Sequence, residues 1–279
     1  ILFILAVFVS GLLAYKFWKT KNQSNLAKQN IMLPEISITL IEGWTIKDMA
    51  DYMENQKLVK SENFLALTQN FAIDDYPLLA QNPQGAGLEG FLFPDTYRIF
   101  KPKADFSNKA GEELIKKALD NFCKKITPDM LSDIKARNLT LFDVVTLASI
   151  IEKETGRNAI TPQQKQILDE ERKIIAGIFY NRLNIGMALE SDATINYITG
   201  RNNPSPTQED LSVNSPYNTY KNKGLPPGPI SNPSLSSIIA AIYPAQTGYF
   251  YFLHKQPSGE AVFSKTFEEH IKNKFKYLK

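Results

Sequence analysis

Between Val144 and Gly156 the sequence reads as a helix with almost no side that could face water. At 3.6 residues per turn Val144, Leu147, Ala148 and Ile151 share one face, while Thr146, Ser149 and Lys153 leave only a narrow polar stripe. A helix apolar on most sides is a buried helix, so this one belongs inside a domain. Its last turn carries two carboxyls. Glu152 follows Val145, Ala148 and Ser149 along its side, and Glu154 follows Leu147, Ile150 and Ile151 along the other. A carboxyl beside apolar surface loses hydration, which favours the protonated form and suits it to acid–base chemistry. The bland alternative is a pair of solvated carboxylates fraying ahead of Gly156. Periodicity does not choose between the two residues.

The other segments divide the 279 residues into a modest leading unit and a larger one. Ile36, Ile38 and Leu40 alternate as a half-buried strand. Thr45 with Asp48 opens a helix carrying Ile46, Met49, Ala50 and Met53, and a second helix starts at Ser61 with Phe64, Leu65 and Leu67 to bury. Leu88 to Phe100, crowded with aromatics around Gly90 and Pro94, is predicted as a strand-turn-strand closing the first unit onto the second. Helices are then expected through Leu114 to Phe122, from Pro128 to near Asn138, from Thr140 with Asp143 as a capping box, and from Thr161-Pro162 to Gly186. Asp192 reads as the cap of a brief helix ending at Gly200. Residues 201–232 hold six prolines in a long irregular stretch, the kind of loop that is usually functional or disordered. A helix follows Asn232-Pro233 through Ile238, Ile239 and Ile242. A hairpin joins Tyr249–Leu253 to Ala261–Phe263, and Thr266 with Glu269 caps the last helix.

Ile1 to Tyr15 is apolar apart from Ser10 and Gly11, and Lys16, Trp18, Lys19 and Lys21 follow. A spanning helix takes about 20 apolar residues. With Trp18 and the lysines as interfacial anchors and no small-residue pair to mark cleavage, residues 1–18 are predicted as a transmembrane anchor rather than a signal peptide. The lysines behind it favour a cytoplasmic body. Residues 19–34 are polar and aperiodic, a tether. The mild net charge of +3 comes without basic runs interleaved with aromatics, which argues against nucleic acid. Cys123 has no partner for a disulfide, and His254 and His270 are the only histidines, so no structural metal or cofactor is expected.

Ile150 to Thr155 resembles the motif of the YceG-like family, the endolytic murein transglycosylases. Four more blocks agree in order: Leu88 to Tyr97, Phe179 to Gly186, Tyr217 to Gly228, and Ile230 to Pro244. The resemblance covers essentially the whole chain. It implies an α+β protein with a transmembrane helix, a tether, a small LysM-like β-α-α subdomain and connecting strands over 35–100, and a larger mostly helical catalytic domain over 101–279 ending in a β-hairpin. It implies a single-pass inner-membrane protein with its body outside the cytoplasm, which overrules the lysine argument, and peptidoglycan synthases as partners. The implied reaction is cleavage of the N-acetylmuramic acid to N-acetylglucosamine bond within peptidoglycan glycan strands, terminating nascent strands with 1,6-anhydro ends. Glu152, the first Glu of the motif, is the implied catalytic acid/base, and Glu154 is then structural.

Where the family shows Gln and Pro, this chain has Glu190 and Ala193. In a cleft position Glu190 would add a second carboxyl near Glu152. Tyr217, Asn218 and Tyr220 combine flat faces with hydrogen-bonding tips suited to sugar rings and an acetamido group, or else they pin the Pro-rich loop. Two rival readings are a muramidase-type hydrolase, with Asp192 or Glu190 as the second carboxylate, and a non-catalytic peptidoglycan-binding scaffold.

Overall fold

The computed structural model describes residues 34–156, 160–201, 203 and 205–278, so the expected anchor and almost all of the tether lie outside the described residues. Among the described residues no helix is long and apolar enough to cross a membrane. The described residues form a mostly helical α+β structure with two small two-stranded sheets.

Strand β1 (Glu35–Thr39) pairs antiparallel with β2 (Thr96–Phe100), setting Ile36 against Ile99 and Ile38 against Tyr97. Between them lie α1 (Ile46–Asn55) and α2 (Ser61–Gln69). The Thr45/Asp48 capping box forms as expected, and α1 buries Ile46, Met49, Ala50 and Met53. On α2, Phe64 is fully buried, but Leu65 turns outward at 37% exposure.

The expected first strand of the Leu88–Phe100 segment does not form. Leu88, Phe91, Leu92 and Phe93 are all buried, so the alternation a half-buried strand needs is missing. The Leu92 N–H goes to the side-chain oxygen of Asn232 instead of a ladder (2.9 Å). Gly90 adopts φ +90°, and a Cβ there would stand 2.6 Å from Pro229 and 2.8 Å from Val145. Only glycine lets the aromatic segment press so closely onto the body.

The body is built from α3 (Asn108–Lys125), α4 (Pro128–Ala136), α5 (Leu141–Glu154), α6 (Pro162–Asn184), α7 (Asp192–Thr199), α8 (Gln208–Ser212) and α9 (Leu235–Ile242). Hairpin β3 (Tyr251–His254) and β4 (Ala261–Ser264) and helix α10 (Phe267–Tyr277) close it. Capping boxes start α5 and α6 at Thr140 and Thr161. The apolar core is continuous from Ile38 to Ile242, and α5 runs through it with every residue from Val144 to Glu152 buried.

Much of the polar stripe of α5 is inside as well. Ser149 Oγ accepts from the Ile230 N–H (2.9 Å), and the Ser149 carbonyl accepts from Ser231 Oγ (3.1 Å), so the stripe fastens the end of the long loop to the central helix. That loop also contains α8, whose Thr207/Asp210 capping box the proline content had hidden.

Candidate active site

Two residues apart at the end of α5, Glu152 and Glu154 project to different sides and each meets the N-terminus of another helix. Glu152 is 5% exposed. Its Oε2 accepts from the Ser234 N–H (2.9 Å), Ser234 Oγ (2.5 Å) and Ser237 Oγ (2.8 Å), where Ser234 is the N-cap of α9. Its Oε1 faces the buried guanidinium of Arg172 at 3.7 Å, which Asp169 holds from behind at 2.9 Å. Glu42 lies near this cluster, its carboxyl raised by partial desolvation and then by the charge of Glu152.

Glu154 is half-buried at the start of α7. Ser191 Oγ donates to its Oε1 at 2.5 Å, and the Ala193 backbone N–H bonds its carboxyl. Burial, then the nearby charge of Asp192, outweigh these donors and Arg182, pushing the Glu154 carboxyl up to about 7. This arrangement changes the expected cap of α7. Ser191, not Asp192, is the N-cap residue, and it makes no side-chain capping bond because its hydroxyl serves Glu154. Asp192 instead accepts from the Tyr220 hydroxyl at 2.5 Å.

Ala193, whose N–H bonds Glu154, and Lys153, between the two carboxyls in sequence, line a large cleft, a cavity of about 1450 Å³ between α1 and α2 on one wall and α7 with the long loop on the other. Tyr217 stands in this cleft, its ring 5.2 Å from that of Tyr197. Tyr220 sits beside Glu154 through Asp192, its hydroxyl raised by burial and then by that hydrogen bond. Asn218 is fully buried and holds the loop together. Its amide donates to the carbonyls of Leu211 (3.0 Å) and Val213 (2.8 Å), and its oxygen accepts from the Tyr220 N–H (3.0 Å). Glu190 is exposed at φ +49°, its N–H bonded to Thr219 O at 3.1 Å. Its loop reaches Glu154 through Ser191, so the structure brings residues 190–193 to the second Glu of the motif.

One further carboxyl, that of Glu89, stands on the cleft wall, outside the site residues that the sequence points to. Glu89 receives the Ile46 N–H at 3.1 Å to each oxygen and Asn232 Nδ2 on Oε1 at 2.9 Å, with the Gly90 N–H also beside it. A lone carboxylate inside an apolar aromatic run was the available signal. Among the described residues no group of His, Cys, Asp and Glu gathers as a metal-holding cluster.

The YceG-like family model matches residues 14–276. The endolytic murein transglycosylase of Bacillus subtilis (strain 168) is 40% identical over 191 residues, which cover 68% of this chain and 48% of that protein. The endolytic murein transglycosylase of Streptococcus pneumoniae serotype 2 is 34% identical over 258 residues, covering 85% of this chain and 44% of that protein. The chain thus spans about half the length of the curated relatives it matches. The crystal structure of a yceG-like protein from Listeria monocytogenes matches with a TM-score of 0.70 at 35% identity, covering 85% of this chain and 75% of that one. Since the match runs through both the leading unit and the helical body, the chain belongs to the YceG-like family.

Proposed function

We propose that this chain cuts peptidoglycan glycan strands internally as a lytic transglycosylase, with one carboxyl at the end of α5 acting as acid and then base. The family resemblance points to Glu152, but the geometry favours Glu154. The observation that carries this choice is a half-buried Glu154 carboxyl, raised to about 7, bonded to a residue that lines the cleft. A general acid near that value is part protonated at neutral pH. Glu152, by contrast, is enclosed by two serines and an arginine and reads as the group that locks α5 to α9 and α6.

In this reading protonated Glu154 gives its proton to the oxygen linking N-acetylmuramic acid to N-acetylglucosamine. That bond breaks, and the 2-acetamido carbonyl shields the charge developing at C1. The Glu154 carboxylate then takes the proton of the sugar's own C6 hydroxyl as that oxygen attacks C1. A 1,6-anhydro ring closes, Glu154 is protonated again, and no water is consumed. Tyr217 on the cleft wall would stack on a sugar ring. Residues 1–18 would anchor the protein in the inner membrane, residues 35–100 would form the LysM-like unit and its connecting strands, and residues 101–279 would form the catalytic domain outside the cytoplasm. There it would end nascent strands beside the synthases.

Mass spectrometry of products from purified strands tests the reaction. Anhydro ends are expected, about 18 mass units below the reducing ends of a hydrolase, the difference being one water. Predominantly reducing ends would instead favour a muramidase using Asp192 or Glu190 as second carboxylate. Comparing Glu152→Gln with Glu154→Gln tests the assignment of the acid.

A further inference from the structure

Glu89 takes no part in the proton transfers of Glu154, yet its carboxyl stands on the wall of the cleft the strand would enter. All of its donors are neutral amides: Ile46 N–H, Gly90 N–H and Asn232 Nδ2. They tie the first turn of α1 to the segment leading into α9, so the carboxyl is fixed at the junction of the two cleft walls. Asn232 Nδ2 donates to Oε1 and not to Oε2, and Oε2 accepts the Ile46 N–H that it shares with Oε1. We propose that Glu89 is a second glycan-binding group, donating a hydrogen bond from Oε2 to an acetamido or hydroxyl oxygen of the strand lying in the cleft.

The surroundings fit a donor rather than an anion. Burial, opposed by the three amides and helped by Asp48 of α1, pushes the Glu89 carboxyl up to about 8. Among the described residues, the other groups around it do not supply a charge to pair with it. Tyr197 of α7 and Tyr217 of the long loop are each raised by burial and by Glu89 itself. On α1, Lys47 is paired with Asp51 (2.8 Å), and across the cleft Arg201 is paired with Asp210 (2.7 Å), while Lys153 of α5 reaches the Gly43 carbonyl. A neutral N-acetylated sugar presents many acceptor oxygens, and a buried acid that stays protonated can meet one of them. A buried carboxylate facing the same oxygen would be lone pair against lone pair.

This inference rests on the glycan-cleaving reading, and its test separates the two. Cleavage of purified strands by the unsubstituted chain, Glu89→Gln and Glu89→Ala is followed from pH 6.5 to 9.5, with kcat and KM resolved. Gln keeps an acceptor for Asn232 and a donor toward the cleft without titrating. The unsubstituted chain should show KM about tenfold higher at pH 9 than at pH 7, as only about a tenth of Glu89 remains protonated there. Glu89→Gln should match it at pH 7 and hold that KM to pH 9, while Glu89→Ala should be raised at every pH. The same rise in KM for Glu89→Gln as for the unsubstituted chain, or equal damage from Gln and Ala at pH 7, would overturn the role of Glu89. Absence of cleavage by the unsubstituted chain would instead sink the glycan-cutting reading on which it stands.

Discussion

Glu152 and Glu154 share a helix, a turn and a residue type, yet they occupy opposite kinds of surroundings. Two positions along an α-helix are rotated by roughly 200°, so neighbours of this spacing cannot share a pocket. Glu152 is turned toward α9 and α6, where three donors converge on one oxygen and a buried guanidinium faces the other. Glu154 is turned toward α7, where burial and Asp192 prevail over Ser191, Arg182 and a single backbone N–H. Both meet a helix N-terminus, where the positive end of the dipole favours a carboxylate. Proximity to a helix end therefore does not identify the acid. What distinguishes the two is how many donors each collects and which one is bonded to a residue of the cleft wall, Ala193.

The largest difference is expected between Glu154→Gln and Glu152→Gln. Gln at 154 keeps an acceptor for Ser191 and Ala193 but has no titrating proton, so strand cleavage should fall at least about 100-fold with the fold intact. Gln at 152 must turn an amide N–H toward either the Ser234 N–H or Arg172, and should lower stability in urea unfolding by about 3 kcal/mol while the folded fraction still cuts. A well-folded, inactive Glu152→Gln beside an active Glu154→Gln would return the catalytic role to the first carboxyl.

The second test uses pH. A carboxyl raised from 4.5 to about 7 on folding holds its proton more tightly in the native state. Its stabilising effect is full below 4.5, declines as pH rises through 7, and is gone above. Thermal midpoints should fall across that window in the unsubstituted chain, and the fall should shrink in Glu154→Gln. Over the same range kcat should drop about tenfold per unit above pH 7, as the acid is lost. A kcat flat to pH 9 would remove Glu154 as the acid. A smaller effect is expected from Tyr220→Phe. Losing the hydroxyl that holds Asp192 frees one carboxylate beside Glu154, and a hydrogen bond to a charged group is worth about 1.5–3 kcal/mol. Part of that should appear as a several-fold loss of kcat at unchanged KM.

Much of the fold was legible because its signals are local. Thr45/Asp48, Thr140/Asp143 and Thr161 with Pro162 each mark a helix start within four residues, and the apolar spacing of α5 announced its burial. The failures involve partners distant in sequence. The Leu88–Asp95 segment lost its first strand to the Asn232 side chain and a close approach to Pro229. The cap of α7 moved to Ser191 because Glu154 claimed its hydroxyl across 37 residues. The site followed the same division. The helix and its carboxyl pair were visible, whereas their unequal surroundings depend on Ser234, Ser237, Arg172 and Ser191, which spacing along one helix cannot report. Asn218 likewise turned out to hold the loop, because its amide meets backbone groups of its own segment.

The smallest expected effect is that of Glu190→Gln, which removes a charge and keeps the side chain's size. Glu190 is exposed, and its charge reaches Arg182 and Tyr220, groups that in turn border Glu154. Removing it leaves Arg182 less neutralised, so the carboxylate form of Glu154 gains slightly and the alkaline limb of kcat should move to lower pH. Water and salt screen an exposed charge over about 10 Å at 0.1 M ionic strength. The shift should therefore be a few tenths of a pH unit, with less than about a twofold change in rate at pH 6. It should fade further in 0.5 M salt, which would mark it as electrostatic rather than structural. The left-handed backbone at this position is shared by both variants, and Gln adds no new strain. Product analysis gives the same substitution a second use. If Glu190 positions water for attack on C1, part of the unsubstituted chain's product will carry hydrated ends that disappear in Glu190→Gln. Anhydro ends alone in both proteins would confine Glu190 to the rim of the site and leave a single α5 carboxyl as the acid and base.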